Sequence, residues 1–354
     1  MCAPRRVLLE YGIAVGHRGL CMRPGRKSIP RIAALLLVAW ACACTAASSH
    51  DNLQSIVQWA YPQAPPGKPT HHSPDEIIRV SDSRRTFRYK DLFGADSGAT
   101  DWFPDSHPPL PRIVAHGTVP GAESCGGCHT VNGEGLPATA ALAGLSRAYM
   151  LEQIDAFRRG LRGAHEPESA TFMAKEVKLV GNHDIAQAVD YFASLTFKPN
   201  VRVVETAWVP RTHWRYYVLG ADAGGHREPI GQRIIEMPVH PADYEHYDTH
   251  AGFIAYVPPG SIRRGARLAN IGSGSVLACA SCHGDRLQGL GTAPPLAGRS
   301  PTYIARELLL FASGQRDSPN AAPMRHEAEQ LTPKEAISAA AYAASLGGEA
   351  RAEK

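Results

Sequence analysis

Apolar residues recur at helical spacing in four stretches of the chain. Met150, Ile154 and Phe157 share one face of a helix predicted from Ser146 to Arg159, with Ser146 as N-cap and Gly160 as stop. Ile185, Val189 and Phe192 mark a second helix, about His183 to Leu195. Ser261 reads as the cap of a third, with Ile262 and Leu268 on its apolar side. Ile304, Leu308 and Phe311 mark a fourth, opened by Ser300-Pro301 with Pro at the first helical position and closed by Gly314. Thr332-Pro-Lys-Glu335 is a capping box ahead of a final helix.

The texture differs elsewhere. Residues 200–260 hold β-rich runs split by Gly and Pro: Val201–Glu205, Trp214–Val218, Ile234–Met237 and Gly252–Val257. They predict a small β insert. Residues 44–118 are rich in Pro, His and Asp, which breaks regular structure and predicts an extended arm with one short helix near Asp51–Ala60. His240, His246 and His250 lie near Asp243 and Asp248, but their spacing fits no metal-ligand pattern and reads as a solvated loop.

The helices belong to a repeat. Cys125-Gly-Gly-Cys128-His129 falls on Cys279-Ala-Ser-Cys282-His283 at an offset of 154 residues. At that offset Leu142-Ala-Gly144 matches Leu296-Ala-Gly298, Tyr149 matches Tyr303, and Gly160-Leu-Arg162 matches Gly314-Gln-Arg316. After a three-residue gap the offset becomes 151, Met173 falls on Met324, and Tyr191–Leu195 falls on Tyr342–Leu346. Two copies, each with one Cys-x-x-Cys-His, predict two tandem domains rather than a solenoid.

Cys-x-x-Cys-His is the attachment sequence of a c-type haem. Two sulfurs add to the porphyrin vinyl groups as thioethers, and the next histidine gives the iron a nitrogen ligand. Cys125, Cys128, Cys279 and Cys282 are therefore the expected attachment points of two covalently bound haem c groups, with His129 and His283 as axial ligands. Met173 and Met324, 44 and 41 residues after their histidines, are the expected sixth ligands. Each is expected in irregular sequence before the last helix, where a loop folds over the ring. Met150 reads as core, and His165, His183 and His326 are weaker rivals. A backbone carbonyl ahead of Leu296-Ala-Gly298, from Pro294-Pro295, and its counterpart in Ala140-Ala141, is expected to accept the proximal imidazole N–H. Within the arm, Asp101–His107 reads either as a wrap over the first domain or as cover for a haem edge.

Composition and charge narrow the setting. Apolar content of 44% suits a globular chain. The net charge of +4 misleads, because residues 1–43 hold seven Arg/Lys against one Glu and the rest is net negative. A nucleic-acid partner has no support. Arg23, Arg26, Lys27 and Arg31, the apolar run Ile32–Trp40 and Ala41-Cys-Ala43 read as an export signal, with residues 1–21 an upstream extension before Met22. An uncleaved anchor and a lipid-bearing Cys44 are the alternatives. The four cysteines beyond position 44 are all used by the two motifs, leaving none for a disulfide.

On these residues the chain resembles the dihaem class I cytochromes c, in particular the cytochrome c4 family, over about 119–199 and 263–348. The resemblance implies two tandem cytochrome c folds in a mainly α chain, over 119–199 and 261–348, joined by the β insert over 200–260 and followed by a tail over 349–354. It implies a periplasmic carrier that passes electrons between respiratory partners (an oxidase, a reductase or a dehydrogenase) through two His/Met-ligated haems. The competing readings are the cytochrome subunit of a dehydrogenase, a dihaem peroxidase-like enzyme, and a structural or sensory haem module. The arm and the insert set the chain apart from short members of that family. The runs Pro229–Ile235 and Gly252–Gly260 resemble longer relatives.

Overall fold

A computed structural model describes residues 59–61, 72–93, 98–163, 168–215 and 217–348. The expected export segment, Cys44, most of the helix expected near Asp51–Ala60, His165 and the tail lie outside the described residues.

The same series of elements surrounds each Cys-x-x-Cys-His. In the first copy they are α2 (Arg112–Ala115), α3 (Cys125–His129), α4 (Arg147–Arg158), α5 (Glu168–Leu179) and α6 (Asn182–Ser194), following α1 (Tyr89–Phe93) in the arm. After α7 (Pro241–Glu245), the second copy has α8 (Ser261–Ile271), α9 (Ala280–His283), α10 (Pro301–Ala312), α11 (Ala322–Ala328) and α12 (Pro333–Ser345). The caps read from the sequence act at corresponding places. Ser146 Oγ accepts from Tyr149 N–H and Ser300 Oγ from Tyr303 N–H. Thr332 and Glu335 close a full capping box. One expected cap differs: Gly260, in the left-handed conformation, precedes α8, and Ser261 is its first helical residue. Glycine takes that backbone without the steric cost of a side chain.

The copies differ in their opening helix. In the second, α8 lies against α12 so closely that a Cβ on Gly265 would sit 1.9 Å from the Ser338 carbonyl oxygen. In the first, only the turn α2 is present. The sequence leaves this turn in the arm, yet Ile113 and Val114 are fully buried beside Ile185, Val189 and Phe192 of α6. Apolar burial at ~25 cal/mol per Å² is the reason this turn holds its place.

The central segment carries strands. β3 (Val201–Glu205) pairs in parallel with β9 (Phe253–Val257), which pairs antiparallel with β8 (Ile235–Pro238). Around this sheet, β4 (Trp208–Pro210) pairs with β7 (Arg227–Pro229), and β5 (Thr212–Arg215) with β6 (Val218–Ala221). The run Trp214–Val218, read as one strand, is divided between the end of β5 and the start of β6, with Arg215 paired to Val218. Val201, Ile234, Phe253, Ala255 and Val257 join α10 and α12 in one core. Trp59, Ala60 and Tyr61 of the arm lie in that same core.

The rest of the described arm pairs β1 (Ile77–Ile78) with β2 (Phe87–Arg88) and runs on over the first copy. Trp102 is fully buried and donates its indole N–H to His246 O at 2.8 Å, and Phe103 stacks on His250 at 3.7 Å. The arm therefore locks onto the loop that holds these two histidines. A Cβ on Gly126, inside the first Cys-x-x-Cys-His, would meet Val114 O at 2.8 Å and Ala99 Cβ at 2.9 Å. No helix among the described residues is long and apolar enough to cross a membrane.

Candidate functional site

Each Cys-x-x-Cys-His folds as one helical turn, with His283 N–H bonded to Cys279 O at 2.9 Å. Cysteines three apart on such a turn project to one side, and the histidine follows directly. His129 is 9% exposed and His283 5%. His129 Nδ1 lies 2.8 Å from Ala140 O, and His283 Nδ1 lies 2.8 Å from Pro294 O. A carbonyl only accepts, so each Nδ1 carries the proton and each Nε2 keeps its lone pair. Burial also lowers the proton affinity of both rings, which keeps them neutral. Ala140 and Pro294 stand at the 154 offset, in the two segments where the sequence left a carbonyl available.

Glycines that the sequence reading passed over let the loops bearing those carbonyls close on the histidines. Gly135 N–H bonds His129 O at 3.1 Å, and Gly289 N–H bonds His283 O at 2.8 Å. Their φ angles are +67° and +87°. A Cβ on Gly135 would lie 2.7 Å from Ala140 O itself. Gly135 and Gly289 keep the repeat offset, and that was the signal that could have found them.

Burial pushes the Cys125 thiol up to about 12 and the Cys128 thiol up to about 11. Cys279 is raised for the same reason. An apolar, desolvated setting of this kind suits the uncharged sulfur of a thioether.

Met173 and Met324 both lie on helices, α5 and α11, rather than in irregular loops. Each is partly buried: Met173 beside Phe157, Ala174 and Val177, and Met324 against the core of the second copy. Met150 is 5% exposed in the core of the first copy. Of the rivals, His183 and His326 are exposed.

Between the copies runs a buried polar seam that the sequence did not announce. Arg162 donates to Gln153 Oε1 (2.9 Å), Tyr303 OH (3.0 Å) and Glu307 Oε1 (2.9 Å). Arg316 donates to Glu307 Oε2 (2.7 Å), Tyr149 OH (2.7 Å) and Gln153 Oε1 (2.8 Å). Arg162 lies over the Phe157 ring and Arg316 over the Phe311 ring. Every one of these residues has its counterpart at the 154 offset. Each copy thus holds its own arginine with its own helix and offers that arginine to the other copy. Burial would raise the Glu307 carboxyl, but the Arg162 and Arg316 guanidiniums outweigh it and bring it down to about 2.

A buried imidazole with one free lone pair, beside two neutral sulfurs on a single turn, is the donor set of a c-type haem. The chain belongs to the cytochrome c family, whose members carry covalently bound haem c and transfer electrons. The cytochrome c family model matches residues 117–196. Cytochrome c-554(548) of Halomonas halodenitrificans is 36% identical over 75 residues, which is 21% of this chain and 90% of that one. The thiosulfate dehydrogenase electron acceptor of Stutzerimonas stutzeri (strain A1501) is 25% identical over 236 residues, covering 65% of this chain and 82% of that one. Among solved structures, a thiosulfate dehydrogenase from Marichromatium purpuratum aligns with a TM-score of 0.44 and 25% identity over 64% of this chain. This chain spans only 37% of that one. Cytochrome c4 from Acidithiobacillus ferrooxidans aligns with a TM-score of 0.41 and 22% identity, covering 63% of this chain and 98% of that one.

Proposed function

We propose that this protein is a dihaem electron carrier of the cytochrome c4 kind, exported to the periplasm, with one haem c on each Cys-x-x-Cys-His. The observation that carries the reading is the second proximal site. His283, Pro294 and Gly289 repeat the arrangement of His129, Ala140 and Gly135, with the same 2.8 Å bond from Nδ1 to the carbonyl. A bound haem c supplies a one-electron iron couple. Cys125, Cys128, Cys279 and Cys282 hold the ring edges. His129 and His283 present Nε2, with their orientation fixed through Nδ1. Met173 and Met324 would supply the second protein ligand to each iron. A soft thioether favours the ferrous state and raises the potential, and closing the sixth position leaves electron transfer as the task.

The electron acceptor of thiosulfate dehydrogenase in Stutzerimonas stutzeri supports a dehydrogenase as the donor in this case too. Contacts with such a partner are small and short-lived, as redox encounters are.

An optical redox titration of wild type, Met173→Ala and Met324→Ala tests the ligand set. Each substitution is expected to remove the sulfur–iron charge-transfer absorption of one haem. Each is also expected to lower that haem's potential by more than about 0.1 V, within the ~0.8 V that axial ligands span. A variant with both potentials and the full absorption intact rules out that methionine.

A further inference from the structure

The helices that carry Met173 and Met324 are tied to the haem-attachment turns by one contact that recurs in both copies. Glu176, three residues after Met173, accepts the Glu123 backbone N–H on Oε2 at 2.9 Å. Glu327, three residues after Met324, accepts the Leu277 backbone N–H on Oε2 at 2.8 Å. Glu123 and Leu277 each stand two residues before the first cysteine of their motif. We propose that Glu176 and Glu327 are positioning residues that clamp the methionine-bearing helix to the turn bearing the cysteines and the histidine. This rests on the reading above that Met173 and Met324 close the sixth positions.

Three features carry the inference. Residues three apart on a helix share a face, so each carboxylate anchors the side of α5 or α11 from which the methionine projects. The donor is a backbone N–H, so Glu123 and Leu277 serve equally well although their side chains differ in size and charge. The donors keep the 154 offset and the acceptors the 151 offset, so the contact has survived the three-residue shift in the repeat. Other ties differ between the copies. Arg158 donates to Val177 O and Val180 O at the end of α5, while Ala312, its counterpart, has no side chain to do so. In the second copy Arg325 pairs with Asp317 instead.

A neutral thioether is a weak ligand, held by how well the protein places it. A carboxylate accepting a backbone N–H is a charge-assisted bond. Its loss is expected to shift the balance between methionine-bound and open iron on the order of tenfold.

The test uses the haem-loaded full chain and variants Glu176→Ala, Glu327→Ala, Glu176→Gln and Glu327→Gln, with Met173→Ala and Met324→Ala as references. Imidazole affinity of the ferric protein and carbon monoxide affinity of the ferrous protein are read at each haem, with the sulfur–iron absorption alongside. Each alanine variant is expected to gain about tenfold in exogenous-ligand affinity at its own haem only. The glutamine variants are expected to stay within about threefold of wild type, because the amide oxygen still accepts the N–H. Where an alanine variant fails to assemble, aspartate, one methylene short of the N–H, takes its place with the same expected gain. Alanine or aspartate variants that match wild type, while the methionine variants open, overturn the clamp and leave the ligand reading standing. Methionine variants that gain nothing overturn the ligand reading itself and the clamp with it.

Discussion

An imidazole that gives its Nδ1–H to a carbonyl has one lone pair left, and it cannot rotate to offer another. At His129 and His283 that choice is made by Ala140 and Pro294, and behind them by Gly135 and Gly289. Gly289 and Gly291 both have positive φ, at +87° and +60°. A Cβ on Gly289 would meet Pro295 N at 2.9 Å and Ala293 O at 3.1 Å, whereas Gly291 faces open space. Gly291→Ala therefore carries only the cost of left-handed backbone, about 1 kcal/mol. Gly289→Ala adds the clash and costs about 2–3 kcal/mol in all, as measured by denaturant unfolding of the haem-loaded protein. Equal losses would show that the carbonyl loop gives way freely. The cysteines and histidines were legible in the sequence because their chemistry demands fixed spacing. The glycines and glutamates around them were not, since each works on a backbone group whose partner has no side-chain signature.

At the scale of elements, the long helices were legible because an apolar stripe and a cap coincide. Ser146, Ser300 and Thr332 each close a helix start with the hydrogen bond expected of them. Helices α5 and α11 were missed. The apolar side of α5, Met173, Ala174 and Val177, spans a single turn, and α11 is only seven residues long. A helix so short is marginal alone and is held by its tertiary ties. The β5–β6 hairpin was misread because Trp214 to Val218 is continuously β-prone, and propensity does not show where a chain reverses. The arm was legible as irregular, but not its anchor: nothing in the residues around Trp102 shows that the indole finds the His246 carbonyl, 144 residues further along the chain.

At the scale of the molecule, the repeat was plain in the sequence, but the use it makes of Tyr149, Gln153, Arg162 and their counterparts was not. Identical residues at one offset read as two domains kept alike. The structure shows them meeting across a shared seam, with Gln153 where the other copy has Glu307. Glu307 is a carboxylate shared by the two guanidiniums. Glu307→Gln keeps an acceptor but removes that charge, and it is expected to cost about 3 kcal/mol at neutral pH in urea unfolding of the haem-loaded protein. The pH dependence has a fixed sign. The folded carboxyl sits at about 2 against an ordinary 4.5, so its contribution is complete above 4.5 and is lost as pH falls toward 2. The gap between wild type and Glu307→Gln should therefore narrow across that window. A gap that stays constant would place the cost in packing and not in charge.

Haem bound by both copies underlies every role given to these residues, and intact mass of the purified chain measures it directly. Wild type is expected to exceed the mass of its polypeptide by two haem groups that acidified acetone does not remove. The double variant Cys279→Ser, Cys282→Ser should exceed its own by one. A wild-type chain carrying a single haem, or none that resists the solvent, would contradict it.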